Sequence, residues 1–230
     1  MKKITLLKKL TRIKRYKHHP LIHRIHETHK ISRKTLFYMK EYGQKSHVAS
    51  VILKESLPSL IIAFIIGSIS GISLQTIGSN FILFAPLLIL LPALNDMIGD
   101  YSMIMVARIS TLLFTKRIAG NWWISEDIRK IVRTIALVAI LSAIYIGLIS
   151  SLVAYLKGFP FTLNSFVKVM EVSILTTSVM VSIVILISGF GVFYVYKRKE
   201  DPNNLVMPVM TSVADLGTIL IFALFVALIF

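Results

Sequence analysis

Apolar residues run for about twenty positions or more at five places along the chain, at 57–77, 81–106, 131–156, 166–196 and 206–230, with short polar links between them. A bilayer core of about 30 Å is crossed by roughly 20 apolar residues in a helix, so each run is long enough to span. The pattern predicts an all-α, polytopic membrane protein with five transmembrane helices over 55–230. A different kind of sequence, residues 1–54, precedes them. Composition supports the division. The chain is 55% hydrophobic with a net charge of +15, and its mean hydropathy is +0.75. Residues 1–54 hold fifteen of the 26 Lys and Arg against two acids, Glu27 and Glu41, while the remainder is nearly neutral.

The charges orient the spans. Lys- and Arg-rich short links stay cytoplasmic. The second link contains Arg108, Lys116, Arg117, Arg129 and Lys130, and the fourth contains Lys197, Arg198 and Lys199. Trp122 and Trp123 in the second link suit a membrane interface. The first link is uncharged and the third carries only Lys157, with Lys168 at its edge. The expected topology is therefore a cytoplasmic N-terminus and an extracellular C-terminus in a multi-pass protein of the cell membrane.

The basic segment has two readings. Ile4, Leu6, Leu7, Leu10 and Ile13 among lysines and arginines fit an amphipathic helix on anionic lipid headgroups; the same charge also serves simply as a positive-inside signal. His18, His19, His23, His26 and His29 include helical i, i+3 pairs. Apart from Glu27, no acid or cysteine completes a metal-ligand set there, and a solvated basic helix explains them. Charge alone admits nucleic acid as a partner, but no motif supports it. The basic run preceding any apolar core does not match a signal peptide.

Within the spans, Asp96, Asp100 and Asp215 stand out. A carboxylate at mid-bilayer costs roughly 2.5–3.5 kcal/mol on insertion scales and usually faces a cavity, a partner or an ion. Asp96 and Asp100 share one helix face, about 6 Å apart along the axis, and repel unless a cation lies beside them. Pro92 frees the carbonyl of Leu88 in the same helix. Carboxylates and a freed carbonyl are hard oxygen ligands for Mg²⁺ or Ca²⁺, and Asn95 adds another. In the fifth span Asp215 follows Thr211 by one turn and precedes Gly217. It lies roughly 13 Å from the cytoplasmic end of its run, a depth similar to that of Asp96. Structural pairing with Lys or Arg is the alternative, but Arg108 and Lys168 lie near helix ends. Glu171 is expected to pair locally with Lys168, and Glu55 to stand at the boundary or first turn of the first helix. Enzyme readings find no support. All six histidines precede the first span, there is no cysteine, and the YD and GxGD patterns of intramembrane aspartyl proteases are missing.

Residues 55–230 resemble the membrane domain of the MgtE magnesium transporters and the related solute carrier family 41. The second helix of that family carries a proline, a Gly-Asn pair and a small-residue run ending in Arg; the matching stretch is Pro92-Ala93-Leu94, Gly99-Asp100 and Ala107-Arg108-Ile109-Ser110-Thr111. The approach to its fifth helix matches Asp201-Pro202-Asn203-Asn204, Pro208, Thr211 and Ala214-Asp215-Leu216-Gly217, and Glu55-Ser56-Leu57-Pro58 looks like the lead into its first helix. The resemblance implies transport of divalent cations, Mg²⁺ foremost, with Asp215 as the pore acid that holds a hydrated ion and Thr211 one turn before it. Asp100 replaces the family's Asn, and Asp96 has no expected counterpart, so the added charge bears on ion choice, including Mn²⁺ or Co²⁺. The family's cytosolic regulatory domains have no match in residues 1–54. One five-helix unit without an internal repeat implies a homodimer with the second and fifth helices near its axis. Two alternatives stay open: a secondary transporter using the acids as Na⁺ or proton sites, and a non-transporting anchor with a basic recruitment tail.

Overall fold

The computed structural model describes residues 48–81, 85–115, 118, 125–160, 162–198 and 200–230. The basic N-terminal stretch up to residue 47 with all the histidines, Lys116, Arg117, Trp122, Trp123 and Lys199 lie outside the described residues, as do the readings that rest on them. Five helices make up the description: α1 (Val48–Phe81), α2 (Ala85–Phe114), α3 (Glu126–Leu156), α4 (Leu163–Lys197) and α5 (Pro202–Ile229). No strand occurs among the described residues, and all five helices contain a stretch long and apolar enough to cross a membrane. The protein is an all-α, multi-pass membrane protein.

The starts of α3, α4 and α5 lie ahead of their apolar runs, where capping groups and first-turn charges stabilise them. Glu126 and Asp127 occupy the first turn of α3, where carboxylates favour the positive end of the helix dipole. The Thr162 hydroxyl accepts from the Ser165 amide at 3.2 Å at the start of α4. Asp201 caps α5, its carboxylate accepting from the Asn203 amide at 3.0 Å, with Pro202 at the first helical position, where its missing N–H costs nothing. α1 begins at Val48 and continues through Pro58, so Glu55 lies well inside the helix rather than at its boundary.

The chain divides into two compact units, one ending at Leu57 and one comprising Pro58–Phe230. Within the second, α2, α4 and α5 pack around a shared interior, and α3 closes against α2 and α4. Polar contacts mark the pairings: Tyr101 on α2 donates to the Ser142 hydroxyl on α3 at 3.0 Å, and Ser173 on α4 donates to the Ala143 carbonyl on α3 at 2.8 Å. From Pro58 onward α1 touches the other helices sparsely. Ser59 donates to the Asn204 carbonyl at 3.1 Å, while Leu60, Phe64, Ile65 and Ile72 are exposed. With the exposed leucines and isoleucines of α3 and α4, these present an apolar exterior that suits lipid rather than water.

Candidate functional site

Two close approaches fix how α2 and α5 meet. Asn95 donates its amide N–H to Asp215 at 2.8 Å. One turn further along α2 and one turn back along α5, a Cβ on Gly99 would stand 3.8 Å from the Thr211 methyl. The two helices therefore run antiparallel, with Gly99 facing the Thr211 methyl at ordinary van der Waals distance.

Where they meet, a cleft of about 690 Å³ opens, lined by Pro92, Asn95, Asp96, Gly99 and Asp100 from α2 and by Thr211 and Asp215 from α5. Leu74 of α1, with Leu88, Leu91, Met103 and Ile219, supplies apolar wall. The five polar residues singled out in the sequence thus line one space. Their settings differ. Asp96 and Asp100 are exposed, whereas Asn95, Thr211 and Asp215 are half-buried. The sequence placed Asp96 at the depth of Asp215, but the residue that touches Asp215 is Asn95.

The chemistry of this lining is that of oxygen acceptors. No Lys, Arg or His is found among the described residues that line the cleft. Thr211 donates its hydroxyl proton to the Met207 carbonyl at 3.0 Å, leaving its oxygen as an acceptor. Pro92 has no N–H to offer the Leu88 carbonyl, and both residues line the cleft. Asp215 receives a neutral amide donor, not a cation. Arg108 is exposed further along α2. Lys168 lies 4.9 Å from the centre of the Phe230 ring, so its contact is with that aromatic face and not the expected local pair with Glu171, which is exposed. Among the described residues no group of three or more His, Cys, Asp or Glu comes close enough to hold a metal ion directly. The three carboxylates share a cleft without forming a tight ligand cage.

Sequence reasoning did not single out three buried threonines on α4 and α5. Thr176, Thr177 and Thr218 are fully buried, and their hydroxyls have no hydrogen-bond partner. The only available signal was the occurrence of two adjacent threonines in the apolar run of α4 and one beyond Asp215 in α5. Threonine in a membrane helix ordinarily bonds its own backbone, so that signal is weak.

The acid-lined cleft lies among helices long and apolar enough to cross a membrane. The family model of MgtE, a divalent cation transporter, matches residues 91–225, more than half the chain, and the chain belongs to that family. No curated protein and no solved structure matches it significantly. The matched region takes in all five polar residues of the cleft.

Proposed function

We propose that this protein carries divalent cations, Mg²⁺ foremost, across the cell membrane along the α2–α5 cleft, with Asp215 as the residue that holds the ion, Asp96, Asp100 and Thr211 as further oxygen ligands or acceptors, and Asn95, expected from the sequence as an oxygen ligand, instead as the amide donor that holds Asp215. The observation that carries the reading is that three intramembrane carboxylates open on one cleft with no basic residue among the described residues that line it. Carboxylates without an internal counter-charge, at a membrane depth where each is costly, call for a cation. The family supplies the charge class; Mg²⁺ is the finer step and rests on the hard oxygen character of the lining. The bias of the basic links supports a reading with the N-terminus in the cytoplasm and the C-terminus outside.

The ion is held with its water. Mg²⁺ gives up its hydration shell reluctantly and usually keeps several waters. Six waters at about 30 Å³ each occupy about 180 Å³, well within a cleft of about 690 Å³. With no cage of three acidic or histidine ligands among the described residues, hydrogen bonds from bound water to Asp215, Asp96 and Asp100 are the means of recognition. A second copy facing the open side of the cleft completes the pore.

Asp215→Asn tests the assignment in proteoliposomes. It is expected to remove nearly all divalent flux while the protein still inserts and keeps its oligomeric state, since the Asn side chain preserves shape. Wild-type Mg²⁺ uptake by this variant would refute the role. Cobalt hexammine, a substitution-inert mimic of a hydrated divalent ion, is expected to block uptake by the wild-type protein. Failure to block, together with an ion found about 2.0–2.1 Å from carboxylate oxygens, would show that the protein strips its ion.

A further inference from the structure

Asn95 uses its amide N–H on Asp215, yet its Oδ1 is buried and has no hydrogen-bond partner. Thr176, Thr177 and Thr218 are fully buried, and their hydroxyls are in the same condition. Several hydroxyls in these helices donate to a carbonyl one turn back, as Thr111, Ser178 and Thr211 do; Ser110 on α2 and Ser188 on α4 are also buried without a partner, but at other levels of the bundle. Four buried polar atoms without a partner are costly wherever they lie, and lipid cannot supply what they lack.

Helix register gathers these atoms. The contacts of Asn95 with Asp215 and of Gly99 with Thr211 set α2 against α5 so that Thr218 is less than one turn from the level of Asn95. A Cβ on Gly217 would stand 2.6 Å from the end of Met180, and one on Gly191 would stand 3.2 Å from Val206. Both contacts give the same antiparallel register for α4 and α5. In that register Thr176 and Thr177 lie within one turn of Thr218. All four residues fit a slab about 9 Å thick, less than two helical turns. The slab also falls at the division between the two apolar cores. Ile98, Met180 and Ala214 belong to one; Leu94, Val172 and Ile219 belong to the other.

We propose that Asn95 Oδ1 and the hydroxyls of Thr176, Thr177 and Thr218 bind a short file of ordered water inside the bundle, and that this water orients the Asn95 amide and, through it, the Asp215 carboxylate. Water fits the unmet demands on both sides. Asn95 Oδ1 needs a donor and the hydroxyl protons need acceptors, and a buried water typically makes two to four such bonds. A metal ion at the same place would leave the hydroxyl protons unpaired. A water donating to Oδ1 keeps the N–H end of the amide turned towards Asp215, so the carboxylate meets the ion in one orientation. Thr176, Thr177 and Thr218 are thus positioning residues, remote from the cleft surface. The link to transport rests on the reading of Asp215 as the ion-holding acid; the water itself does not.

A structure of the full chain in nanodiscs, at a resolution that shows water, tests the site directly. Density within about 2.7–3.2 Å of Asn95 Oδ1 and of the hydroxyls is expected. A dry layer whose hydroxyls turn to their own helix carbonyls would overturn the proposal. For the positioning role, Thr176→Val, Thr177→Val and Thr218→Val are made singly and together, with the three Thr→Ser variants as rescue. The valines should leave the melting temperature unchanged or higher while raising the half-saturating Mg²⁺ concentration about tenfold, the scale on which outer partners act at metal sites. Maximal flux should be retained, and the serines should restore affinity. Unchanged half-saturation in the valine variants would overturn the positioning role even if water is present. Should the triple variant fail to fold, Thr218→Val alone decides by the same measure. Normal transport by Asp215→Asn would remove the ion assignment and leave the water density standing or falling by itself.

Discussion

Asp96 and Asp100 stand differently from Asp215. Both are exposed to the cleft, one turn apart on the same helix, while Asp215 is half-buried and held by Asn95. Exposed carboxylates at that spacing act on a passing cation together, because either alone leaves the ion partly neutralised and the other still within reach. Groups so close are expected to couple by about 0.5–3 kcal/mol. Asp96→Asn and Asp100→Asn should each weaken the half-saturating concentration for Mg²⁺ uptake modestly, and the double variant should weaken it by more than the two free-energy changes added. A double variant whose effect equals that sum would show that the two acids serve separate sites. This pair was legible in the sequence, since i, i+4 spacing fixes a shared face without any tertiary knowledge. The Asn95–Asp215 bond was not. It joins residues 120 positions apart, and no local pattern reveals which of several polar groups on α2 an acid on α5 will meet.

At the level of elements, close helix contact at small residues holds the cleft's far wall. Gly217 lets α5 approach Met180 on α4, and Gly191 lets α4 approach Val206; such packing takes the place of a hydrophobic drive between helices in lipid. An alanine at 217 would bring a Cβ to 2.6 Å from Met180 Cε, the end of a flexible side chain that can swing aside. Gly217→Ala is therefore expected to fold with a small loss of thermal stability. Gly217→Leu should lower it severely and, by spreading α4 from α5, impair transport as well. Met180→Ala should rescue part of the Gly217→Leu loss. Thermal unfolding in detergent measures all three, and full additivity of the two substitutions would show that the residues do not share this contact. The number of helices was readable because the bilayer demands about twenty apolar residues per crossing. Their ends were not, because an apolar count stops at the first charges, whereas Glu126, Asp127 and Asp201 stabilise helix starts. For the same reason Glu55 looked like a boundary: a proline three residues later suggests a helix start, but α1 runs on through it.

For the whole molecule, the open side of the cleft is the feature that matters. Asp96, Asp100 and Met103 line the cleft and are exposed at its open side. Asp96 and Asp100 at membrane depth are too costly to face lipid, so a second copy related by a two-fold axis is expected to face them and enclose the ion's path. Symmetry then brings each residue near the axis close to its own counterpart. The chain contains no cysteine, so a single introduced thiol reports without background. Met103→Cys should give a disulfide- or bismaleimide-linked dimer in membranes under mild oxidation or cross-linker. Leu152→Cys, on an exposed position of α3, should give far less. Disulfide formation needs Cα atoms within about 7 Å, and the cross-linker extends the reach for residues flanking the axis. Mg²⁺ at saturating concentration is expected to change the yield at position 103 and leave position 152 unaffected, because the ion bridges the two faces through its water. Equal yields at the two positions would mean random collision between copies and would leave each protomer to enclose its path alone, with α1, through Leu74 at the cleft, as the element left to close it.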